Sequence, residues 1–406
     1  MIINNIKRFE NNKIVSRKLR LPIIDVFMAL SILILFSSIF LFFDDNNTAF
    51  KYLSRILFVV CFVMYFINHR LKIDRFYLLW AVFLSLMVFA NLIVSYSFSH
   101  SLNLGLIFLQ AIWVSFLLFH WIDDSKKILF LLILIALFSA LYCFRIAEDL
   151  QIIKWGTRKI GTMVGTNVNT IGMRLSLGFI CSIFFLFRQK NIFIKVICLI
   201  ASVVLLVFIM ITGSRRALII AFTSFLCFAL FTSKKPLRVI ASLCLVLAFT
   251  VLLYFALTKI RLFYSIIGSR IESFITGFFS SETSAFGADR DNMIITGINL
   301  SLRRPILGWG MGTFRFVSGI DHEYSHNNVV ELCFALGIPT MVLYYSFFGK
   351  AFLRLKIINN RKWRILCLVL LLTTIISDLT AANYSTLIAH LILCLPYAIE
   401  KNSITA

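Results

Sequence analysis

The arginines of this sequence could hold a phosphorylated substrate, and His326 could handle a hydroxyl proton. Arg215 and Arg216 follow a Gly213-Ser214 turn between two apolar runs, and Arg174 falls within the outer half of an earlier run at 170–187. An arginine in or near a bilayer is costly and marks a functional position by default. The structural alternatives are snorkelling to lipid phosphates for Arg215 and Arg216, and pairing with a neighbouring helix for Arg174. Asp289-Arg290-Asp291 opens an amphipathic helical pattern that Arg303-Arg304-Pro305 closes. Acidic residues at the start and basic ones at the end complement a helix dipole, which accounts for the terminal charges without a ligand. Arg290 fits that account least, because a cation near a helix N-terminus is unfavourable. Guanidinium groups clamp phosphate oxygens in pairs, so arginines converging on one spot would bind a diphosphate without a metal.

Farther along, Gly308-Trp309-Gly310-Met311-Gly312 permits close backbone approach, either as an anion-binding nest using Gly308 and Gly310 or as a plain turn. Tyr324-Ser325-His326-Asn327-Asn328 and then Glu331 lead into the next apolar run. Imidazole is the side chain best suited to take or position a hydroxyl proton near neutral pH. The structural alternatives are a helix N-cap at Asn327 or Asn328 and a satisfied interfacial His326. His322 and Glu323 read as solvated. His322 and His326 are four apart, but no carboxylate-rich cluster completes a divalent site, so neither a metal nor another cofactor is expected.

The elements that must position these groups cross a membrane. Of the 406 residues, 60% are hydrophobic and only 14% charged, against roughly 25% charged in soluble domains. That excludes a water-soluble fold. Apolar runs of about 20 residues recur, enough for a hydrocarbon core near 30 Å thick. The expected fold is an all-α polytopic membrane protein of about twelve helices. They run approximately over 23–43, 52–69, 76–97, 101–122, 128–145, 170–187, 192–212, 216–232, 237–257, 329–349, 364–381 and 384–399. The first nine occupy 1–257 and the last three 329–406, with a large external loop at 258–328 and a moderate one at 146–169. The long loop carries helical patterns at Ile271 to Phe279 and Arg290 to Leu302. Its aromatic and apolar content argues against disorder.

The net charge of +22 does not indicate nucleic acid. Basic clusters precede the first helix and fill alternate loops, at Arg70/Lys72/Arg75, Lys126/Lys127, Arg188/Lys190, Lys234/Lys235/Arg238 and Arg354/Lys356/Arg361/Lys362. The positive-inside rule accounts for that spacing and puts both termini in the cytoplasm. The first apolar run is too long for a cleavable leader and ends in Asp44, Asp45, Asn46 and Asn47, so it is expected to remain as a signal anchor. All nine cysteines fall in or beside apolar segments without C-x-x-C spacing, as packing residues do. No inverted repeat or pair of broken helices of the transporter type is evident.

The run DRDNMIITGINLSLRRPILGWGMGTF from Asp289, then EYSHNNVVELCFALGIPTMVLYY to Tyr345, resembles the signature of the O-antigen polymerases and the related O-antigen ligase superfamily. Thr212-Gly213-Ser214-Arg215 looks like the family's T-G-S-R turn, and Gly165-Thr166-Asn167-Val168-Asn169 like its N-x-N element. The resemblance spans about residues 160 to 350. Gly337-Ile338-Pro339 departs from the commoner pattern and is expected to kink the tenth helix.

This resemblance implies transfer of a glycan from undecaprenyl diphosphate, at the periplasmic face of a bacterial inner membrane, to an acceptor hydroxyl. Arg215 and Arg290 become diphosphate ligands and His326 the group that activates or orients the acceptor. Arg216, Arg174, Asn169, Arg303, Arg304, Asn327, Asn328, Glu331, Gly308 and Gly310 become substrate-binding candidates. The Y-S-H-N-N form looks more like the polymerases, whose acceptor is a lipid-linked repeat unit, than the ligases, whose acceptor is the lipid A core. Partners would be the lipid-linked oligosaccharide, the bilayer and a separate chain-length co-polymerase. A lipid-linked oligosaccharide flippase is the alternative of a different class, and it would gather its cations in a central cavity.

Overall fold

The computed structural model describes residues 23–41, 48–69, 73–150, 168–232, 236–269, 272 and 285–403. The basic leader, Asp44 to Asn47, most of the loop at 146–169 with Asn167, the pattern at 271–279, and the clusters at Arg70/Lys72 and Lys234/Lys235 lie outside them. The described residues are helical with no strand. Every backbone polar group within a bilayer must be satisfied internally, and a helix does this within one segment.

Residues 1–73 and 74–406 form two compact units. The first holds α1 (Ile23–Phe40) and α2 (Thr48–His69), joined by a hydrogen bond from Ser54 Oγ to Ser38 Oγ of 2.9 Å. The second holds every candidate residue. Its helices are α3 (Arg75–Val94), α4 (Phe98–Trp121), α5 (Ser125–Leu150), α6 (Val168–Arg188), α7 (Ile192–Thr212), α8 (Arg215–Phe231) and α9 (Pro236–Lys259). They continue with α10 (Ala285–Arg303), α11 (Phe314–Ser318), α12 (Asn328–Leu336), α13 (Ile338–Arg354), α14 (Arg361–Asp378) and α15 (Leu387–Ser403). A π-helical turn, Tyr264–Gly268, follows α9.

Eight of these helices, α1 to α7 and α9, are long and apolar enough to cross a membrane. Of the remaining four expected spans, α8, α13 and α15 have 17 residues each and α14 has 18. A helix of that length rises ~25 Å.

The expected helix over 329–349 is two helices. Gly337, at φ 89° and ψ 163°, ends α12 and starts α13. The break is fixed from outside: Ile338 N donates to Pro305 O at 2.8 Å, and a Cβ on Gly337 would lie 2.1 Å from Ile306 O. Pro339, in the first turn of α13, has no N–H to lose there. The element is therefore severed where a kink was expected. Helix α10 also starts earlier than the charge pattern implies, at Ala285. Arg290 consequently lies beyond the first turn, where the dipole objection to a cation has faded.

Candidate functional site

The α7–α8 connection is a three-element cap. Gly213 takes the left-handed conformation at φ 67°, Thr212 Oγ1 accepts from Ser214 N, and Ser214 Oγ caps α8 by accepting from Ala217 N. Ser214 Oγ also donates to Asn169 Oδ1 at 3.0 Å, tying the turn to the start of α6. Arg215 stands half-buried at the first position of α8. Arg216 turns inward and is 8% exposed. Its Nη2 donates to Asn169 O at 3.1 Å and its Nη1 to Ser377 O at 3.4 Å, while its buried Nε has no protein partner. One guanidinium thus fastens the N-terminal end of α6 to the C-terminal end of α14.

Beside it runs a buried polar network. Tyr345 OH donates to Asp378 Oδ2 at 2.9 Å and accepts from Asn328 Nδ2 at 3.0 Å. Asn328 Oδ1 accepts from the amides of Asn383 and Tyr384 at 2.7 and 2.8 Å. Asn383 Nδ2 reaches Ser377 Oγ at 2.9 Å and Asp378 Oδ1 at 3.4 Å. Asp378 lies within electrostatic reach of Arg216, so the buried carboxylate faces a buried cation. Asn328, with Asn383, locks the start of α12 to α13 and to the α14–α15 connection. Asn327 is the N-cap, its Oδ1 accepting from Val329 N and Val330 N at 3.0 and 3.2 Å. Glu331, buried, accepts from Ser325 N at 2.8 Å, and Ser325 Oγ donates to Asn327 O at 3.1 Å.

Between these pinned residues sits His326. At φ 59° it is the one non-glycine residue with positive φ among the described residues. Such a conformation costs on the order of 1–3 kcal/mol and persists only where surrounding contacts impose it. Glu331, holding Ser325 before the turn, and the Asn327 cap after it supply those contacts. The His326 ring lies 4.6 Å from that of Tyr324 and 5.8 Å from that of His322. Burial, then Arg290, then His322 lower the imidazole from 6.5 to about 4, so it is neutral at physiological pH. Burial raises the Tyr324 hydroxyl, opposed most strongly by Arg216. Arg290, Arg216, Tyr324 and His326 therefore share one electrostatic neighbourhood, with Arg290 exposed on α10 and Arg216 beneath.

The other candidates take different places. Arg174 is fully buried in α6, its Nη1 3.5 Å from Tyr142 OH and its guanidinium 5.5 Å from that ring's centre. Arg304 donates to Val94 O at 3.2 Å and stacks 4.1 Å over Trp309, and Arg303 is exposed at the last position of α10. The glycine-rich segment spends its amides on the protein: Trp309 N donates to Phe334 O at 2.8 Å and Gly310 N to Ala335 O at 3.1 Å, while Gly308 N bonds Arg304 O. The Trp309 and Gly310 bonds close the C-terminal end of α12 and the Gly308 bond follows the end of α10, so the amides of Gly308 and Gly310 serve helix termini and not an anion nest. A Cβ on Gly310 would come within 2.2 Å of Ser95 Oγ. Asp378, Tyr345, Asn383 and Tyr324 escaped the reading of the sequence. For Asp378 the available signal was a carboxylate closing an apolar run.

Residues 200–345 match the family model described as O-antigen ligase. That stretch, about a third of the chain, is similar to the O-antigen ligase superfamily. The superfamily segment carries Arg215, Arg216, Arg290, Tyr324, His326, Asn328 and Tyr345, while Asn169, Arg174 and Asp378 lie outside it. The match points to a glycosyltransferase-like enzyme, and the eight long apolar helices to a multi-pass membrane protein. No curated protein is significantly similar to the chain.

Proposed function

We propose that this protein is a polymerase of O-antigen or a similar surface polysaccharide. It transfers a glycan from undecaprenyl diphosphate to a lipid-linked repeat unit at the periplasmic face of the inner membrane, and crosses that membrane twelve times. The observation that carries this reading is a strained, neutral His326 within electrostatic reach of Arg290, which is in turn within reach of the buried Arg216.

In the reaction, the acceptor hydroxyl oxygen bonds to the anomeric carbon as the bond from that carbon to the diphosphate breaks. Negative charge then collects on the departing diphosphate oxygens. Arg290, accessible on α10, and Arg215, at the membrane end of α8, take those oxygens, and such fixed donors act most strongly on charge that develops in the transition state. Arg216 adds a buried positive field and holds the helix ends together. Neutral His326 accepts a hydrogen bond from the hydroxyl and takes its proton as the new bond forms. A bound diphosphate offsets the field of Arg290, which raises the basicity of the imidazole when substrate is in place.

The test is incubation of purified protein in nanodiscs with synthetic lipid-linked repeat unit, alone or with lipid A core, followed by gel separation. A ladder of lengthened lipid-linked products without core supports the polymerase. Transfer only to lipid A core identifies a ligase, and movement of donor across liposomes without lengthening identifies a flippase. A co-polymerase in this reading would narrow the ladder without being needed to start it.

A further inference from the structure

A second charged cluster lies at the far end of the bundle. Arg188 closes α6, whose other end carries Asn169, and Arg361 and Lys362 open α14, whose other end carries Asp378. The separation is one helix length, ~27 Å for the 18 residues of α14. Lys362 Nζ lies 3.5 Å from Arg188 O and within electrostatic reach of Arg188, Lys190 and Lys195. The Arg188 guanidinium sits 5.2 Å from the centre of the Trp363 ring and 5.8 Å from that of Phe184, and those two rings are 4.9 Å apart. Arg361 Nη1 is buried without a hydrogen-bond partner. Among the described residues, none of these five cations is in an ion pair.

Sidedness alone requires only that such charges lie on one side of the membrane. It does not require cations from the α6–α7 turn and from α14 to converge, against their mutual repulsion, around an aromatic pair. An anion offsets that repulsion, and the adjoining surface selects its kind. Ile192, Phe193 and Ile197, beside Lys190 and Lys195 on α7, are 63%, 77% and 65% exposed, a flank suited to acyl chains. We infer that the α6–α7 turn and the start of α14 form a binding site for the phosphate headgroup of an anionic phospholipid, with its chains along α7. Basic pockets between membrane helices bind such headgroups by charge, and a tryptophan beside them sits naturally at headgroup depth.

Native mass spectrometry of the purified full chain in detergent, titrated with phosphatidylglycerol or phosphatidylcholine, tests this. The wild type is expected to retain phosphatidylglycerol at least tenfold better than phosphatidylcholine. Arg188→Gln with Lys362→Gln should abolish that preference. Arg75→Gln with Lys126→Gln, the same charge loss at the same end of the bundle, should keep it. Trp363→Leu, which leaves every charge in place, should weaken retention several-fold and serves if the double variant fails to insert. Unchanged retention in Trp363→Leu and the double variant would overturn the site. Equal displacement of phosphatidylglycerol by millimolar inorganic phosphate would overturn the lipid assignment, because a soluble anion would then suffice.

Discussion

Replacing Arg290 by glutamine takes one positive charge from beside His326 and keeps a polar side chain there. In the substrate-free protein the imidazole has moved from 6.5 to about 4, first through burial, then through Arg290, then through His322. Arg290 is the second of three causes, so its removal moves the imidazole back toward 6.5 without restoring it fully. The variant should therefore titrate above the wild type and below 6.5, and His322→Gln should raise the value by less. At pH 5 roughly nine-tenths of the wild-type rings are neutral, and a smaller share in the variant. Carbon-13 labelling of histidine Cε1 makes this measurable, because the chain has only 6 histidines and His326→Gln assigns the signal. The linkage has a definite sign. Between pH 6.5 and 4 the unfolded chain binds the proton that the folded chain refuses, so this contribution to stability is present above 6.5 and lost as pH falls toward 4. A wild-type signal titrating near 6.5, or an Arg290→Gln signal still near 4, would refute the shared neighbourhood of Arg290 and His326.

Other changes have equally specific outcomes. His326→Ala should lower polymer formation by on the order of 100-fold to 10,000-fold, read as repeat number and yield in cells at equal protein level. Arg216→Lys keeps a charge but cannot hold Asn169 O and Ser377 O together, so thermal stability should fall by about 1–3 kcal/mol; Arg216→Met should fall further and the lysine should partly rescue it. Asn328→Ala removes three hydrogen bonds between α12, α13 and the α14–α15 connection and should release the His326 turn, seen as faster amide exchange at Ser325 and His326. Gly310→Ala puts a Cβ against Ser95 at a φ of 113° and should lower Tm at a cost of at least ~1–3 kcal/mol.

Most membrane helices were legible because a run of about 20 apolar residues has few other destinations. The break at Gly337 was not, because hydropathy continues through it and what severs the helix is Pro305 O and Ile306 O, some thirty residues earlier in the chain. Arg290 and His326 stood out as polar residues that orientation could not explain. Arg216 and Arg215 were indistinguishable by position, and only the helix phase shows which one turns inward. Asp378 and Tyr345 passed as ordinary members of apolar runs because their significance is the bond between them. The glycines at 308 and 310 looked like a ligand cradle since the same conformational freedom serves a ligand and a helix end.

The severed helix bears on how the protein is assembled. The carbonyls of Phe334 and Ala335 at the end of α12 find their donors in Trp309 and Gly310 and, for Ala335, in Asn91 Nδ2. Both sets of donors leave the ribosome earlier than the carbonyls they satisfy. Helix α12 can therefore dock into a receptor already shaped by α3 and the segment at 305–310. A loop removed or exchanged at 305–310 would strip those carbonyls of these donors, and each left buried without a partner costs about 1–3 kcal/mol. Swapping this loop between relatives to alter specificity should therefore carry α12 along with it, because the biosynthetic unit is the pair.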